Sequence, residues 1–78
     1  MSSNELKAFV WISKTLQQGD RLTRRMIEEH FHVSPRTVYR YLWILRKSYN
    51  APIIYNREEN SYRCTGGWNF FEELQKKM

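Results

Sequence analysis

Hydrophobic residues recur every three or four positions at the start of the chain, the spacing that places side chains on one side of an α-helix. The set consists of Leu6, Phe9, Val10, Ile12 and Leu16. Asn4 is a suitable N-cap residue, and Gly19-Asp20 is a turn signal. We therefore predict a first helix that ends at about Gln18. Trp11 lies outside the apolar side of this helix. Its ring is expected either to contact a partner or another subunit, or to pack against another part of the domain.

Two further helices are predicted after a short extended piece. Thr23 caps the second helix, which runs from Arg24 to about His30. Its buried side is formed by Met26, Ile27 and Phe31. Residues 31–33 make a turn, and Val33 is expected to face the core.

The third helix has the clearest start signal in the chain. Ser34 is its N-cap, and Pro35 occupies the first helical position, where proline is best tolerated. The helix continues to about Ser48 or Tyr49, and Asn50-Ala51-Pro52 stops it.

At about 100° per residue, this third helix has two opposite faces. The apolar face consists of Val38, Leu42, Leu45 and Tyr49. The opposite face consists of Arg36, Arg40, Trp43 and Lys47, with Tyr39 and Arg46 beside it. No acidic residue occurs in the helix, although a solvated helix usually carries acids that pair with its bases. The pattern indicates an anionic partner opposite the basic and aromatic face.

The rest of the chain predicts a β-hairpin and one more helix. "IIYN" and "SYRC" are strand-like and flank the polar turn "REEN". After Gly66-Gly67, a rough helical stripe is formed by Trp68, Phe71, Leu74 and Met78. This segment, 66–78, either folds back on the first helix to complete the core or pairs with its copy in a second subunit. We expect residues 1–65 to hold the core and hairpin, so that truncation after Thr65 leaves the fold intact and impairs self-association.

The chain of 78 residues is expected to form one domain, mainly α with a small β-hairpin. Its net charge is +5, and the excess lies in one region. The termini are balanced, whereas residues 21–47 carry a basic excess over Glu28 and Glu29. The bases in this region are Arg21, Arg24, Arg25, Arg36, Arg40, Arg46 and Lys47. The guanidinium group of arginine can donate two parallel hydrogen bonds to a phosphate or to a guanine edge. The charge pattern therefore favours a surface that binds nucleic acid over an ordinary solvated surface.

Other classes of function find little support in the sequence. Cys64 is the only cysteine, so there is no disulfide framework, and His30 and His32 lack a third metal ligand. No glycine-rich phosphate loop or carboxylate pair in an apolar setting is present, and we expect no enzymatic activity, cofactor, metal or small-molecule ligand. No apolar run is long enough to span a membrane and the start lacks signal-peptide features, which predicts a cytoplasmic protein.

A helix, a tight turn and a second, basic helix match the helix-turn-helix, whose second helix enters the major groove of DNA. In that geometry Arg36 and Arg40 reach guanine edges, while Thr37 and Tyr39 contact a thymine methyl or a phosphate. Lys47 lies near the DNA backbone. Arg24 and Arg25 oppose the dipole of their own helix, a cost that a phosphate docked there would offset. The full set of predicted DNA-binding residues is Thr23, Arg24, Arg25, Ser34, Arg36, Thr37, Tyr39, Arg40, Trp43, Lys47 and Arg57.

The stretch "RLTRRMIEEHFHVSPRTVYRYLWILRKSYNAPIIYNREENSYRC" resembles the winged helix-turn-helix at the N-terminus of DeoR-type and WYL-domain bacterial transcription regulators. Matching positions are Thr23, Val33, Ser34, Arg36, Thr37, Arg40, Leu45, Pro52, Ile53 and Tyr62. The resemblance covers about residues 5–65 and implies that the hairpin is a wing, with Arg57 and then Arg63 as its DNA contacts. Tyr41 stands where the family has an acid, and Asn60-Ser61 replaces its glycine pair. The family's C-terminal domain has no counterpart, as in a small phage or plasmid regulator or a DNA-binding fragment.

We therefore expect sequence-specific binding of double-stranded DNA by a bacterial or phage transcriptional regulator, acting as a repressor. Two alternatives stay open: an architectural, excisionase-like factor that bends DNA, and a winged-helix module whose basic face meets an acidic protein. One small domain with few phosphate contacts binds DNA weakly at physiological salt. A homodimer or a cooperative assembly is therefore expected on the DNA.

Overall fold

The computed structural model describes residues 3–19 and 21–78. Along the chain, these ranges contain the elements α1 (Ser3–Gln17), α2 (Arg24–Phe31), α3 (Pro35–Ser48), β1 (Ile53–Asn56), β2 (Ser61–Cys64) and α4 (Phe70–Lys76). The two strands form one antiparallel hairpin. The predicted class, mainly α with a small β-hairpin, is confirmed.

The helix α1 differs from its prediction in its start and in its buried side. It begins at Ser3, so Asn4 lies inside the helix instead of capping it. The predicted turn residue Asp20 lies outside the described residues. Leu6 is exposed and Val10 only partly buried, whereas Ala8, Phe9, Ile12, Ser13 and Leu16 are buried. The buried face of α1 is thus centred on Ala8, Phe9 and Ile12 and excludes Leu6.

Trp11 packs within the domain, as the second of its two interpretations proposed. Its ring stacks on that of His30, with centroids 4.5 Å apart, and meets the Phe31 ring edge-on. The C-terminal end of α2 therefore covers one side of Trp11, and the indole is partly buried.

Side-chain caps fix the starts of α2 and α3, as predicted. The hydroxyl of Thr23 accepts a hydrogen bond from the backbone N–H of Met26 at 3.2 Å. The Ser34 hydroxyl accepts one from the N–H of Thr37 at 3.3 Å. Between the helices, His32 adopts left-handed backbone angles (φ 54°), which turns the chain sharply. This tight connection fixes the direction of α3 relative to α2.

The predicted apolar face of α3 is confirmed, and it is wider than predicted. Val38, Leu42, Leu45 and Tyr49 are all buried. Tyr41 is buried as well, and its ring meets the Phe9 ring edge-on with centroids 5.8 Å apart. Tyr41 is therefore a packing residue between α3 and α1, which explains why an apolar ring suits this position better than an acid.

Two hydrogen bonds connect the hairpin to the segments on either side of it in space. The backbone N–H of Tyr62 donates to the carbonyl of Leu22 at 2.6 Å, which adds a bridge beside β2. The Arg46 guanidinium donates to the carbonyl of Ile53 at 3.2 Å. The chain before α2 and the last turn of α3 thus hold the hairpin, so its orientation relative to α3 is set by the fold.

The C-terminal segment folds back onto the helical core. The indole N–H of Trp68 donates to the Tyr49 carbonyl at 2.8 Å. Phe70 is fully buried, with ring centroids 5.0 Å from Tyr49 and 6.0 Å from Phe9. The core therefore includes a residue beyond Thr65, as the first of the two interpretations of this segment proposed, and truncation after Thr65 should destabilise the fold.

The predicted stripe on this segment is wrong at Phe71 and Met78, whereas Trp68 and Leu74 are partly buried against the core. Phe71 is 47% exposed and Met78 is 93% exposed. The side chain of Asn69 caps α4 by accepting from the N–H groups of Phe71 and Glu72, so Trp68 precedes the helix. The predicted stripe counts helical spacing from Trp68, which is not part of the helix. The spacing therefore points to Phe71 instead of Phe70.

Candidate nucleic-acid interface

The outward face of α3 is basic and aromatic. Its exposed side chains are Arg36, Tyr39, Arg40, Trp43 and Lys47. The structure describes all of α3, and the helix contains no acidic residue. A shallow groove of about 410 Å³ lies on this face and is lined by Arg36, Thr37, Tyr39, Arg40 and Trp43. Because the opposite face is buried against α1 and α2, the whole set is presented outward from a fixed helix.

Arg24 joins this surface from the start of α2. Its guanidinium donates to the Tyr39 hydroxyl at 3.2 Å and pairs with the carboxylate of Glu28 at 2.7 Å. The hydrogen bond to Tyr39, and then that to Glu28, raises the pKa of Arg24 above its usual value. Arg24 is therefore held beside α3, with its charge partly balanced by Glu28, and Arg25 is exposed next to it.

A second cleft, of about 470 Å³, connects α2, α3 and the hairpin. Its lining consists of Thr23, Arg24, Tyr39, Tyr55, Asn60 and Tyr62. Tyr39 borders both this cleft and the groove on α3, so the two form one continuous surface. Among its residues, Tyr55, Asn60 and Tyr62 were not predicted as site residues. The alternation of side chains along a strand could have indicated the two tyrosines, because Tyr55 and Tyr62 are paired in the hairpin register and therefore lie on the same side of the sheet.

Arg40 forms an ion pair that the sequence pattern does not reveal. Its guanidinium lies 3.3 Å from the carboxylate of Glu5, in the first turn of α1, and 5.8 Å from the centroid of the Tyr41 ring. Arg40 remains largely exposed. The pair places one carboxylate at the border of the basic face.

Ser34 and Thr37 have structural roles at the start of α3. Their hydroxyl oxygens lie 3.2 Å apart, and that of Ser34 also caps the helix. Ser34 is exposed and Thr37 is half-buried. Both hydroxyls are thus held by the first turn of α3, next to Arg36.

The hairpin offers one exposed base near its tip. Arg57 is exposed at the start of the turn, followed by the exposed Glu58. The guanidinium of Arg63, the second candidate, donates hydrogen bonds to both carboxylate oxygens of Glu59. This hydrogen bonding lowers the pKa of Glu59. Arg63 is thus engaged within the hairpin, and Arg57 is the better candidate for an outside contact.

Other kinds of site find no counterpart in the described residues. Residues 3–19 and 21–78 hold no group of three His, Cys, Asp or Glu side chains placed to bind a metal ion. In the same ranges, no helix has the length and apolar character needed to cross a membrane. Burial raises the pKa of the half-buried Cys64 thiol, which disfavours the reactive thiolate. No protein-family model, curated protein or solved structure matches this chain, so the candidate site is described from its own geometry and charge.

Proposed function

We propose that this chain is a sequence-specific DNA-binding protein of the winged helix-turn-helix class that regulates transcription as a repressor. One observation carries the proposal: α3 buries one face completely and presents on the other only basic, aromatic and small polar side chains. In this assignment α2 and α3 form the helix-turn-helix, and the hairpin is the wing.

The dimensions of α3 suit the major groove of DNA. An α-helix with side chains is about 10–12 Å wide, and the groove is about 12 Å wide. Arg36 and Arg40 lie in the first two turns of α3, the part that contacts base edges in helix-turn-helix proteins. Their guanidinium groups match the paired acceptors of guanine. These two arginines are the proposed determinants of sequence specificity.

The start of α2 and the hairpin tip are the proposed contacts to the DNA backbone. Arg24 and Arg25 lie at the N-terminus of α2, where helix N–H groups and the helix dipole also favour an anion. Tyr39 holds Arg24 next to α3, so one phosphate between α2 and α3 would meet both side chains. Arg57 supplies the corresponding charge on the hairpin.

Selection from random double-stranded DNA followed by sequencing tests the proposal directly. We expect an enriched motif that contains at least one guanine for Arg36 or Arg40. Recovery of random sequence without enrichment, under conditions where the protein is folded, would contradict sequence-specific binding.

We propose further that the protein binds DNA as a homodimer or a cooperative assembly. A single domain of this size neutralises few phosphates and binds weakly at physiological salt. Two-fold symmetric operators mirror two-fold symmetric proteins. An enriched motif that is palindromic, bound with two chains per site in sedimentation measurements, is the expected result, and one chain on an asymmetric site would contradict it.

Replacement of Lys47 by alanine should weaken binding to all sequences alike. Lys47 lies two turns beyond Arg40 on the same face, where α3 leaves the groove and approaches phosphates. Loss of one phosphate contact should reduce the slope of log affinity against log salt by about one. The matched control is Lys14→Ala, an exposed lysine of α1 outside the proposed interface, which should leave the slope unchanged. A sequence-dependent loss at Lys47 would contradict its assignment to the backbone.

A second candidate function is the binding of an acidic protein. The exposed rings of Tyr39 and Trp43 favour it, because aromatic residues beside arginine are typical of protein-binding hot spots. An acidic partner would meet the same basic face, so this candidate is separated from DNA binding by the paired arginine variant described in the Discussion.

A further inference from the structure

Trp43 lies in the middle of the basic face without a polar role. Its side chain is 59% exposed, and the adjacent residue Leu42 is buried, so the indole points away from the core. Tyr39, one helical turn earlier, is 52% exposed on the same face. An indole has one hydrogen-bond donor and a large apolar surface, so it is suited to an apolar partner and not to paired recognition of a base edge.

A DNA duplex offers one exposed apolar group to a protein in the major groove. The faces of the bases are stacked on one another, and their edges present donors, acceptors and the C5-methyl group of thymine. We infer, on the basis of the proposed function, that Trp43 and the ring of Tyr39 form an apolar wall that contacts a thymine methyl. Trp43 is then a specificity-determining residue for thymine, next to the guanine contacts of the arginines.

The helix geometry places this thymine relative to the guanine. Arg36 and Trp43 are seven residues apart, which corresponds to about 10 Å along α3 at 1.5 Å per residue. Successive bases on a strand are 3.4 Å apart, so about three base steps separate the two contacts. The groove on α3, lined by both residues as well as by Arg40, is continuous over this span. The thymine should therefore lie about two to four base pairs from the guanine that depends on Arg36.

The test replaces single thymines of the selected DNA motif with deoxyuridine, which lacks only the methyl group. With the unaltered protein, one deoxyuridine at the expected distance should weaken binding about fourfold, the effect of about one buried methylene. With Trp43→Ala the same substitution should change affinity by less than about 1.5-fold, because the methyl has already lost its contact. Trp43→Phe keeps an apolar ring and should retain part of the fourfold effect.

The control protein is Phe71→Ala, which removes a similarly exposed ring from α4, away from the basic face. It should show the full fourfold response to deoxyuridine. An equal response in the unaltered protein and in Trp43→Ala would overturn the inference, as would no response at any thymine. Uracil stacks as thymine does, so loss of affinity in Trp43→Ala without deoxyuridine sensitivity would identify base stacking instead. If no DNA motif is enriched at all, the proposed function itself fails. If a motif is enriched and bound but shows no methyl contact, only the inference about Trp43 fails.

Discussion

Replacement of Phe70 by alanine should cost about 3–5 kcal/mol of unfolding free energy, because a fully buried phenylalanine leaves a cavity when it is truncated. The ring is in contact distance of Phe9 from α1 and of Tyr49 after α3, so it joins the two longest helices. A domain of this length is stable by only about 4–12 kcal/mol. We therefore expect the variant to unfold at much lower urea concentration than the unaltered chain, as followed by far-ultraviolet circular dichroism.

The neighbouring residue provides a matched control for this prediction. Phe71→Ala makes the same chemical change one position later, where the ring is about half exposed, and should alter stability by no more than about 0.5 kcal/mol. Equal losses at the two positions would show that the C-terminal segment is not packed as described. A Phe70→Ala protein as stable as the unaltered chain would contradict the role of Phe70 in joining α1 to the end of α3.

Simultaneous replacement of Arg36 and Arg40 by alanine should abolish sequence-specific DNA binding. A paired contact of arginine with guanine contributes about 1–3 kcal/mol of discrimination, so two such losses lower affinity for the selected site by about two orders of magnitude or more. Both side chains are exposed and the ion pair of Arg40 with Glu5 contributes at most about 1 kcal/mol, so the variant should stay folded. Band-shift titrations on the selected site and on random DNA measure the effect.

The control for this variant must remove the same charge elsewhere. Lys14→Ala combined with Lys76→Ala lowers the net charge equally but changes exposed positions on α1 and α4. This control should leave binding to both DNAs nearly unchanged, because both lysines lie outside the proposed interface. If the arginine variant keeps its DNA affinity at moderate salt, the basic face serves another partner, and the protein-binding candidate replaces DNA binding.

Local features of the sequence predicted the elements well, because local interactions determine them. The hydroxyls of Thr23 and Ser34 and the proline after Ser34 specify where α2 and α3 start, and the structure shows both caps. The apolar face of α3 follows from spacing alone, and so does its basic face. These features depend on residues within one or two turns, which a sequence displays directly.

Features that depend on distant residues were predicted poorly. The phase of α4 depends on where Asn69 caps the helix and on which ring reaches Phe9, and spacing alone selected Phe71 instead of Phe70. Tyr41 appeared only as a departure from a family pattern, whereas packing against α1 explains it. No periodicity within a segment reports such contacts between segments.

The candidate site shows the same division. Residues on α3 and at the start of α2 were identified from charge and spacing, and the structure brings Arg24 to Tyr39. The hairpin residues of the second cleft were missed, since their position depends on how Leu22 and Arg46 hold the hairpin. Arg63 was predicted as a DNA contact, because the sequence does not show that its side chain pairs with the carboxylate of Glu59.

The ion pair between Glu5 and Arg40 has a consequence for how the protein would move along DNA. A single ion pair at the surface contributes at most about 1 kcal/mol, so in the proposed complex the two acceptors of a guanine could displace the carboxylate, whereas a base without paired acceptors would compete less well with Glu5. If α3 binds DNA as proposed, Arg40 would stay paired with Glu5 of α1 away from its site and add little to the affinity for random sequence. The carboxylate of Glu5 would thus lower the affinity of the protein for DNA in general. It would also shorten the time that the protein stays bound to random sequence and so speed the search for the operator.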